Sequence, residues 1–92
     1  MRVRWLLRAV DDLEGIFDYI ARDSPSAAVE ETERVLAADK RLGDYPASGR
    51  PGRVPDTREL VVSSYIVAYR VRAGAVQVLR VLHGARRWPE AL

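Results

Sequence analysis

The chain predicts a single α+β domain: an N-terminal strand, an antiparallel two-helix hairpin, and a small antiparallel sheet with the hairpin packed on one face, in the order β-α-α-β-β-β. Three observations carry the prediction. Apolar residues recur at helical spacing through the first half. From residue 58 onward they alternate or run together as in strands. A proline- and glycine-rich segment separates the two regimes. The 92 residues suit one domain, spanning 1–92. A domain of this size supports one modest core and is only marginally stable by itself.

Residues 2–7, R-V-R-W-L-L, read as a short strand, because Val3 and Trp5 alternate with Arg2 and Arg4. Arg8 and Ala9 lead into a first helix over 9–22. Its apolar stripe is Val10, Leu13, Ile16, Phe17 and Ile20. Asp11, Asp12 and Glu14 fall near its start, where acids favour the positive end of the dipole. Gly15 costs about 1 kcal/mol relative to alanine in a helix interior, so it predicts close packing against a neighbour. Ser24 and Pro25 form an N-cap and a first helical residue. The second helix then runs from Pro25 to about Leu42, with Gly43 as its C-cap. Ala28, Val29, Thr32, Val35, Leu36 and Leu42 make its buried side.

Residues 45–57 hold Pro46, Pro51 and Pro55 together with Gly49 and Gly52, and read as a loop. Strands follow at 58–63, 65–71 and 76–83, with Ala73-Gly74 at the last turn. A two-residue hairpin loop there sets Val71 opposite Val76, Arg70 opposite Gln77 and Tyr69 opposite Val78. Continued down the ladder, it sets Ala68 opposite Leu79, Val67 opposite Arg80, Ile66 opposite Val81 and Tyr65 opposite Leu82. Both faces of this hairpin are therefore largely apolar. A two-helix hairpin covers one of them, which leaves an apolar face rimmed by arginine, the kind of surface that takes a partner. The alternative is that the N-terminal strand and the C-terminal tail cover that face themselves.

Composition narrows the function. Hydrophobic residues at 48% beside charged residues at 30% indicate a globular chain rather than a disordered one. The absence of cysteine removes disulfides and thiolate metal sites. One histidine and carboxylates at salt-bridge spacing leave no ligand set, so no metal and no cofactor are expected. No G-K-[ST] pattern supports a nucleotide loop, and Ser63-Ser64 is not in a G-x-S-x-G elbow. No segment is apolar enough to span a membrane and the N-terminus lacks a signal-peptide core, so a cytoplasmic protein is expected. Residues 1–44 carry seven basic and ten acidic side chains, a balance of −3, while residues 45–92 carry eight and three, a balance of +5. The second half is thus the contact surface for an acidic partner or a nucleic acid.

The residues able to do chemistry lie in that half. His83 could serve as a general acid or base against a phosphodiester, and several arginines could stabilise the charge that develops there. That makes a metal-free endoribonuclease one reading. The set is incomplete, since no tyrosine follows His83 and Glu59 is the only carboxylate in the strands. A lone histidine at a strand end more often has a structural role. The other reading is a partner-binding surface built from Arg58, Tyr65, Tyr69, Arg70, Arg80, Arg86, Arg87 and Trp88. Arginine, tyrosine and tryptophan dominate protein hot spots, and the same mixture binds single-stranded nucleic acid; composition alone does not separate these.

Several motifs, in order, carry a resemblance. A tryptophan-containing strand is followed by A-x-x-D-L-x-x-I-x-x-Y-I at Ala9, Asp12, Leu13, Ile16, Tyr19 and Ile20. S-P-x-A-A occupies Ser24 to Ala28, and L-x-x-Y-P-x-x-G-R occupies Leu42 to Arg50. T-R-E-L follows at Thr57 to Leu60, and V-L-H-G-A-R-R-W-P closes the sheet at Val81 to Pro89. Over nearly its whole length the chain resembles the RelE/ParE superfamily of bacterial type II toxins, and most closely its ParE branch. The resemblance implies two helices on an antiparallel sheet and growth arrest when the protein is unopposed. It implies a cognate antitoxin, ParD-like or similar, that wraps the toxin, and promoter DNA bound only indirectly, through the antitoxin. It also implies DNA gyrase as the target, poisoned by protein–protein contact. The alternative branch, RelE-like, would make the chain a ribosome-dependent mRNA endonuclease, with His83, Arg58, Arg70 and Arg80 at the positions that match its catalytic set. The lysines and late tyrosine of that branch are missing here, and the usual glycine before T-R-E-L is Asp56.

Overall fold

The structure, a computed structural model, describes residues 1–89 and 92. Its elements run β1 (Arg2–Trp5), α1 (Leu7–Ala21), α2 (Pro25–Leu36), α3 (Ala38–Asp44), β2 (Arg50–Pro51), β3 (Arg58–Val62), β4 (Tyr65–Arg72) and β5 (Ala75–His83). The α+β class and the element order are as expected, with three refinements.

The first concerns the sheet, which is five-stranded in the order β1-β5-β4-β3-β2 and mixed rather than antiparallel. β1 lies parallel to β5, with Val3 opposite Val76 and Trp5 opposite Val78. Side-chain alternation reveals a strand but not its direction, which is settled by the route of the chain that follows. β2 is a two-residue pairing inside the expected loop, too short to leave a periodic signal.

The second concerns the second helix. Ser24 caps it as expected, its Oγ accepting from the Ala27 N–H at 3.2 Å, with Pro25 in the first turn. It stops at Leu36 instead of Leu42. Ala37 has ψ −18°, flatter than an α-helix requires, and the helix is interrupted there before it resumes as α3. Ala28, Thr32 and Val35 of α2 and Ala38 and Leu42 of α3 keep the spacing of one buried stripe across the interruption. Gly43 is consequently inside a helix, not at a C-cap. It is glycine because a Cβ there would stand 2.9 Å from the Met1 carbonyl oxygen, where the N-terminus crosses α3. The close packing expected at Gly15 of α1 is absent, since a Cβ there meets no atom within 4 Å.

The third is the register. The hairpin turn is as expected: Ala73 (φ 53°) and Gly74 (φ 73°) are both left-handed, and Val71–Val76, Arg70–Gln77 and Tyr69–Val78 face one another. Below Tyr69 the ladder slips by one residue. Ala68 faces Arg80, Val67 faces Val81, Ile66 faces Leu82 and Tyr65 faces His83, with Leu79 as the extra residue of a β-bulge. The left-handed alanine identifies a weakness. Ala73→Asn should stabilise the protein by roughly 0.5–1 kcal/mol, because asparagine tolerates that conformation better. A urea titration that shows no gain would refute this.

The main core lies between the sheet and the helices. Leu60, Val67, Tyr69, Val76, Val78 and Val81 meet Ala9, Val35, Ala38 and Leu42. Fully burying a side chain such as Leu42 contributes about 1.5–3 kcal/mol. Trp5 borders this core and donates its indole N–H to Asp39 Oδ1 at 2.8 Å.

The opposite face of the sheet is not open. Ile66, Ala68, Leu79 and Leu82 are 4%, 0%, 8% and 1% exposed. Glu59, which faces Ala68 across the strands, accepts from the Arg53 backbone N–H at 2.8 Å, and the Arg53 guanidinium stacks 4.0 Å from the centre of the Trp88 ring. Gly84 lies against Ile66. The loop and the C-terminal tail thus cover this face, and the expectation of a bare apolar face is corrected. A chain this small hides its second face with irregular segments, whose tertiary position no periodicity announces.

Candidate functional site

The site begins with an unfinished sheet edge. β1 ends at Trp5, opposite Val78, and Leu6 adds one last bond by donating to the Val78 oxygen at 3.0 Å. Beyond Val78, β5 has no strand on that side. An open edge is a liability unless something covers its polar groups. Here α1 covers it with Asp12, which accepts from the Val81 backbone N–H at 2.9 Å. The bulge at Leu79 brings Arg80 to the same carboxylate. Its Nε and Nη2 donate to Asp12 Oδ2 and Oδ1 at 2.7 and 3.0 Å, a bidentate pair between two nearly buried side chains. Asp12's hydrogen bond raises the Arg80 pKa above its ordinary value, against the opposing effect of burial.

Between α1 and this edge lies a groove of about 610 Å³, walled by Asp11, Gly15 and Tyr19 on the helix and by Tyr65, His83 and Arg86 on the other side. Tyr65 and His83 face each other in the ladder, their rings edge-on at 5.5 Å. The Ala85 backbone N–H donates to His83 Nδ1 at 3.1 Å, so the proton of the neutral ring sits on Nε2. Burial, then the charges of Glu31 and Tyr19, push the Tyr65 phenol above its ordinary pKa. The phenol therefore stays protonated near neutral pH and can donate a proton, but it is unsuited to act as a base.

The structure does not gather the remaining candidates around this groove. Arg70 donates to Gln77 Oε1 at 2.8 Å, and Gln77 is six residues from His83, about 20 Å along the strand. Arg58 donates to the Gly49 oxygen at 2.8 Å and shares a shallow pocket with Arg70 at that far end. Arg80 is committed to Asp12. Tyr69 leaves the partner-binding set, because it is fully buried. Its hydroxyl donates to the Pro46 oxygen at 2.7 Å and accepts from the Gly49 N–H at 2.9 Å. Trp88 is half-buried against Arg53 over the second face, while Arg86 and Arg87 are exposed. A larger concavity of about 870 Å³ beneath α3, lined by Ala37, Lys40, Arg41 and Tyr45 among others, contains none of the candidates.

Asp12 and Glu59 are the residues whose weight the sequence reading missed. Asp12 lies four positions before Ile16, on the apolar stripe rather than the solvated face, and an acid on that stripe signals a buried cationic partner. Glu59 carried a fainter signal as the one carboxylate in the strand region. It is 2% exposed and joins Arg50 Nη2 at 3.1 Å and Arg53 Nε at 3.5 Å. Among the described residues, no group of three or more histidine, cysteine, aspartate or glutamate side chains could hold a metal, and no helix is long and apolar enough to cross a membrane.

Residues 3–88 match the family described as the ParE toxin of type II toxin-antitoxin systems, parDE. The chain belongs to this family, and is thus a type II toxin of the RelE/ParE superfamily. It is 45% identical over 93 residues to Y4kP of Sinorhizobium fredii, covering 99% of this chain and 96% of that one. It is 38% identical over 85 residues to toxin RelE2 of Caulobacter vibrioides, covering 92% and 97%. Among solved structures it resembles a chain of the chromosomal ParDE system of P. aeruginosa, with a TM-score of 0.82, 27% identity and coverage of 90% and 95%. A chain of the RelBE2 toxin-antitoxin complex of Mycobacterium tuberculosis shares the fold, with a TM-score of 0.64, 24% identity and coverage of 89% and 95%.

Proposed function

We propose that this toxin inhibits DNA gyrase by protein–protein contact in the cytoplasm, and that a cognate ParD-like antitoxin binds and neutralises it. The observation that supports this reading most is the dispersal of the nuclease set. Arg80 is locked to Asp12 and Arg58 and Arg70 sit at the other end of the sheet, so none of these three arginines stands free beside His83, where Arg86 is the other arginine of the groove. In-line phosphodiester cleavage needs an acid, a base and charge stabilisation within a few ångströms of one phosphate. The family match and the ParDE system of the P. aeruginosa neighbour support the antitoxin, and promoter DNA would then be reached only through it.

The second reading, ribosome-dependent mRNA cleavage, draws on the Tyr65–His83 contact beside Arg86 and on the name of the Caulobacter relative. A supercoiling assay with purified gyrase separates the two. Inhibition is expected, and normal supercoiling at excess toxin would sink the gyrase reading. In cells, His83→Ala should still arrest growth and induce the DNA-damage response. Arrest abolished by His83→Ala, together with cleaved mRNA, would favour the nuclease.

A further inference from the structure

We propose that the second face of the sheet, at its hairpin-turn end, docks the backbone of duplex DNA through Arg2 and Arg4 of β1 and Arg70 and Arg72 of β4. This goes beyond the gyrase reading and does not depend on it. Val3 and Trp5 of β1, Val76 and Val78 of β5 and Tyr69 of β4 pack toward the helices. Alternation along the strands sends Arg2, Arg4, Ala75, Gln77, Arg70 and Arg72 to the opposite face. The register sets them in two rows: Arg2, Ala75 and Arg72 in one, Arg4, Gln77 and Arg70 in the other. Neighbouring strands lie about 4.8 Å apart and alternate residues about 6.6 Å apart. The arginines therefore mark the corners of a rectangle of about 10 by 7 Å, with alanine and glutamine between the two columns. Arg2, Arg4 and Arg72 are exposed and Arg70 is half-buried. The parallel course of β1 creates the patch, by carrying two arginines of the acidic first half of the chain beside two of the basic second half.

Carboxylates do not neutralise it. Among the described residues, the ion pairs use Arg34, Lys40, Arg50, Arg53 and Arg80, and none uses these four arginines. Arg70 donates to the neutral Gln77, and the nearest acid at that edge, Asp56, shares a shallow pocket with Arg70.

What the patch contains and lacks identifies the occupant. It has no large apolar side chain to anchor a protein partner and no aromatic ring on which an unpaired base could stack. Its attraction is charge alone, and duplex DNA offers one negative charge per about 1.7 Å of axis. Columns about 10 Å apart reach phosphates on both rims of a B-form minor groove about 6 Å wide, whereas the minor groove of duplex RNA is broader and shallow. A flat sheet face does not enter a groove to read base edges, so the contact is independent of sequence and leaves promoter choice to the antitoxin.

The test titrates a short fluorescent DNA duplex of arbitrary sequence with the parent chain, with Arg4→Gln/Arg72→Gln, and with Arg22→Gln/Arg41→Gln as a control of equal charge on exposed helix positions. Thermal unfolding is followed in parallel, and Arg72→Gln alone gives the same comparison at half the effect. The parent's affinity should fall about 100-fold between 50 and 200 mM salt, with a log–log slope of about −3.6. Arg4→Gln/Arg72→Gln should bind about tenfold or more weakly at 50 mM salt, with a slope shallower by about 2, while the control binds as the parent does. A parent chain that does not bind the duplex at 50 mM salt would overturn the proposal, as would equal losses in the two double variants. Tighter binding of a polyglutamate peptide would assign the patch to an acidic protein instead, and tighter binding of an RNA duplex of the same sequence would remove DNA as the occupant. Gyrase is absent from this titration, so its outcome stands apart from the supercoiling assay.

Discussion

Asp12→Ala is expected to destabilise the protein by about 3–5 kcal/mol, because it strands a nearly buried guanidinium and uncovers the Val81 N–H together. Arg80→Ala should cost a similar amount by stranding the carboxylate. A domain of this size has a total stability of about 5–15 kcal/mol, so either change approaches global unfolding at body temperature. The paired variant distinguishes a stranded charge from lost packing. Asp12→Asn retains an acceptor for Val81, and Arg80→Met retains the apolar stem, so together they should recover most of the loss. Urea titrations of the two single alanine variants and the Asn/Met pair check this. Midpoints for the single variants close to the parent would refute it. The pH dependence on the Arg80 side has a definite sign. Its pKa is raised in the folded state, so its contribution is fully present below the unfolded value and is lost only as pH rises through strong alkali. No loss from Arg80 is expected across the neutral range.

Tyr69→Phe should cost about 2–4 kcal/mol, although it removes one oxygen atom. That oxygen serves two backbone groups at once, the part-buried Pro46 carbonyl and the buried Gly49 N–H, and the N–H would lose its partner in a buried position. Gly49→Ala attacks the same lock from the other side, since its Cβ would stand 2.7 Å from the Tyr69 hydroxyl and 2.9 Å from the Glu59 oxygen. The two changes should be strongly non-additive, because each destroys the same contact. Additive losses in a double-mutant cycle would show that hydroxyl and glycine act separately. The lock matters beyond stability. Gly49 also receives Arg58 on its carbonyl oxygen, and the next residue, Arg50, pairs with Glu59. Loosening it should release the loop that covers the second face.

The distribution of these residues shows what can be read from a linear pattern. The stripe Leu13, Ile16, Phe17 and Ile20, the cap at Ser24 and the turn at Ala73-Gly74 are local signals, and each element formed where its signal lay, although Val10, counted on the same stripe, is exposed. The motif order from Trp5 to Pro89 was enough for the superfamily, because it samples caps, turns and strand ends spread over the whole fold. The candidate site was legible only in part. His83, Tyr65 and Arg86 do meet at one groove, but Arg58, Arg70 and Arg80 carry the same residue type to three different environments. Nothing in an arginine's neighbours along the chain says whether it will be spent on Asp12, on a backbone carbonyl or on a partner.

The sequence by itself determined the α+β class, the order of the main strands and helices and the hairpin register from Tyr69 to the turn, because these rest on periodicity and turn chemistry within a few residues; the superfamily came from a resemblance whose motifs are spread from Trp5 to Pro89. Only the tertiary structure decided that β1 runs parallel to β5, that a bulge at Leu79 turns Arg80 to Asp12, and that loop and tail close the second face. Each of those depends on groups far apart in the chain, 68 residues apart for Arg80 and Asp12. Such contacts are settled by which buried charge and which open edge most need a partner, a competition among all surfaces of the folded chain that no local pattern records.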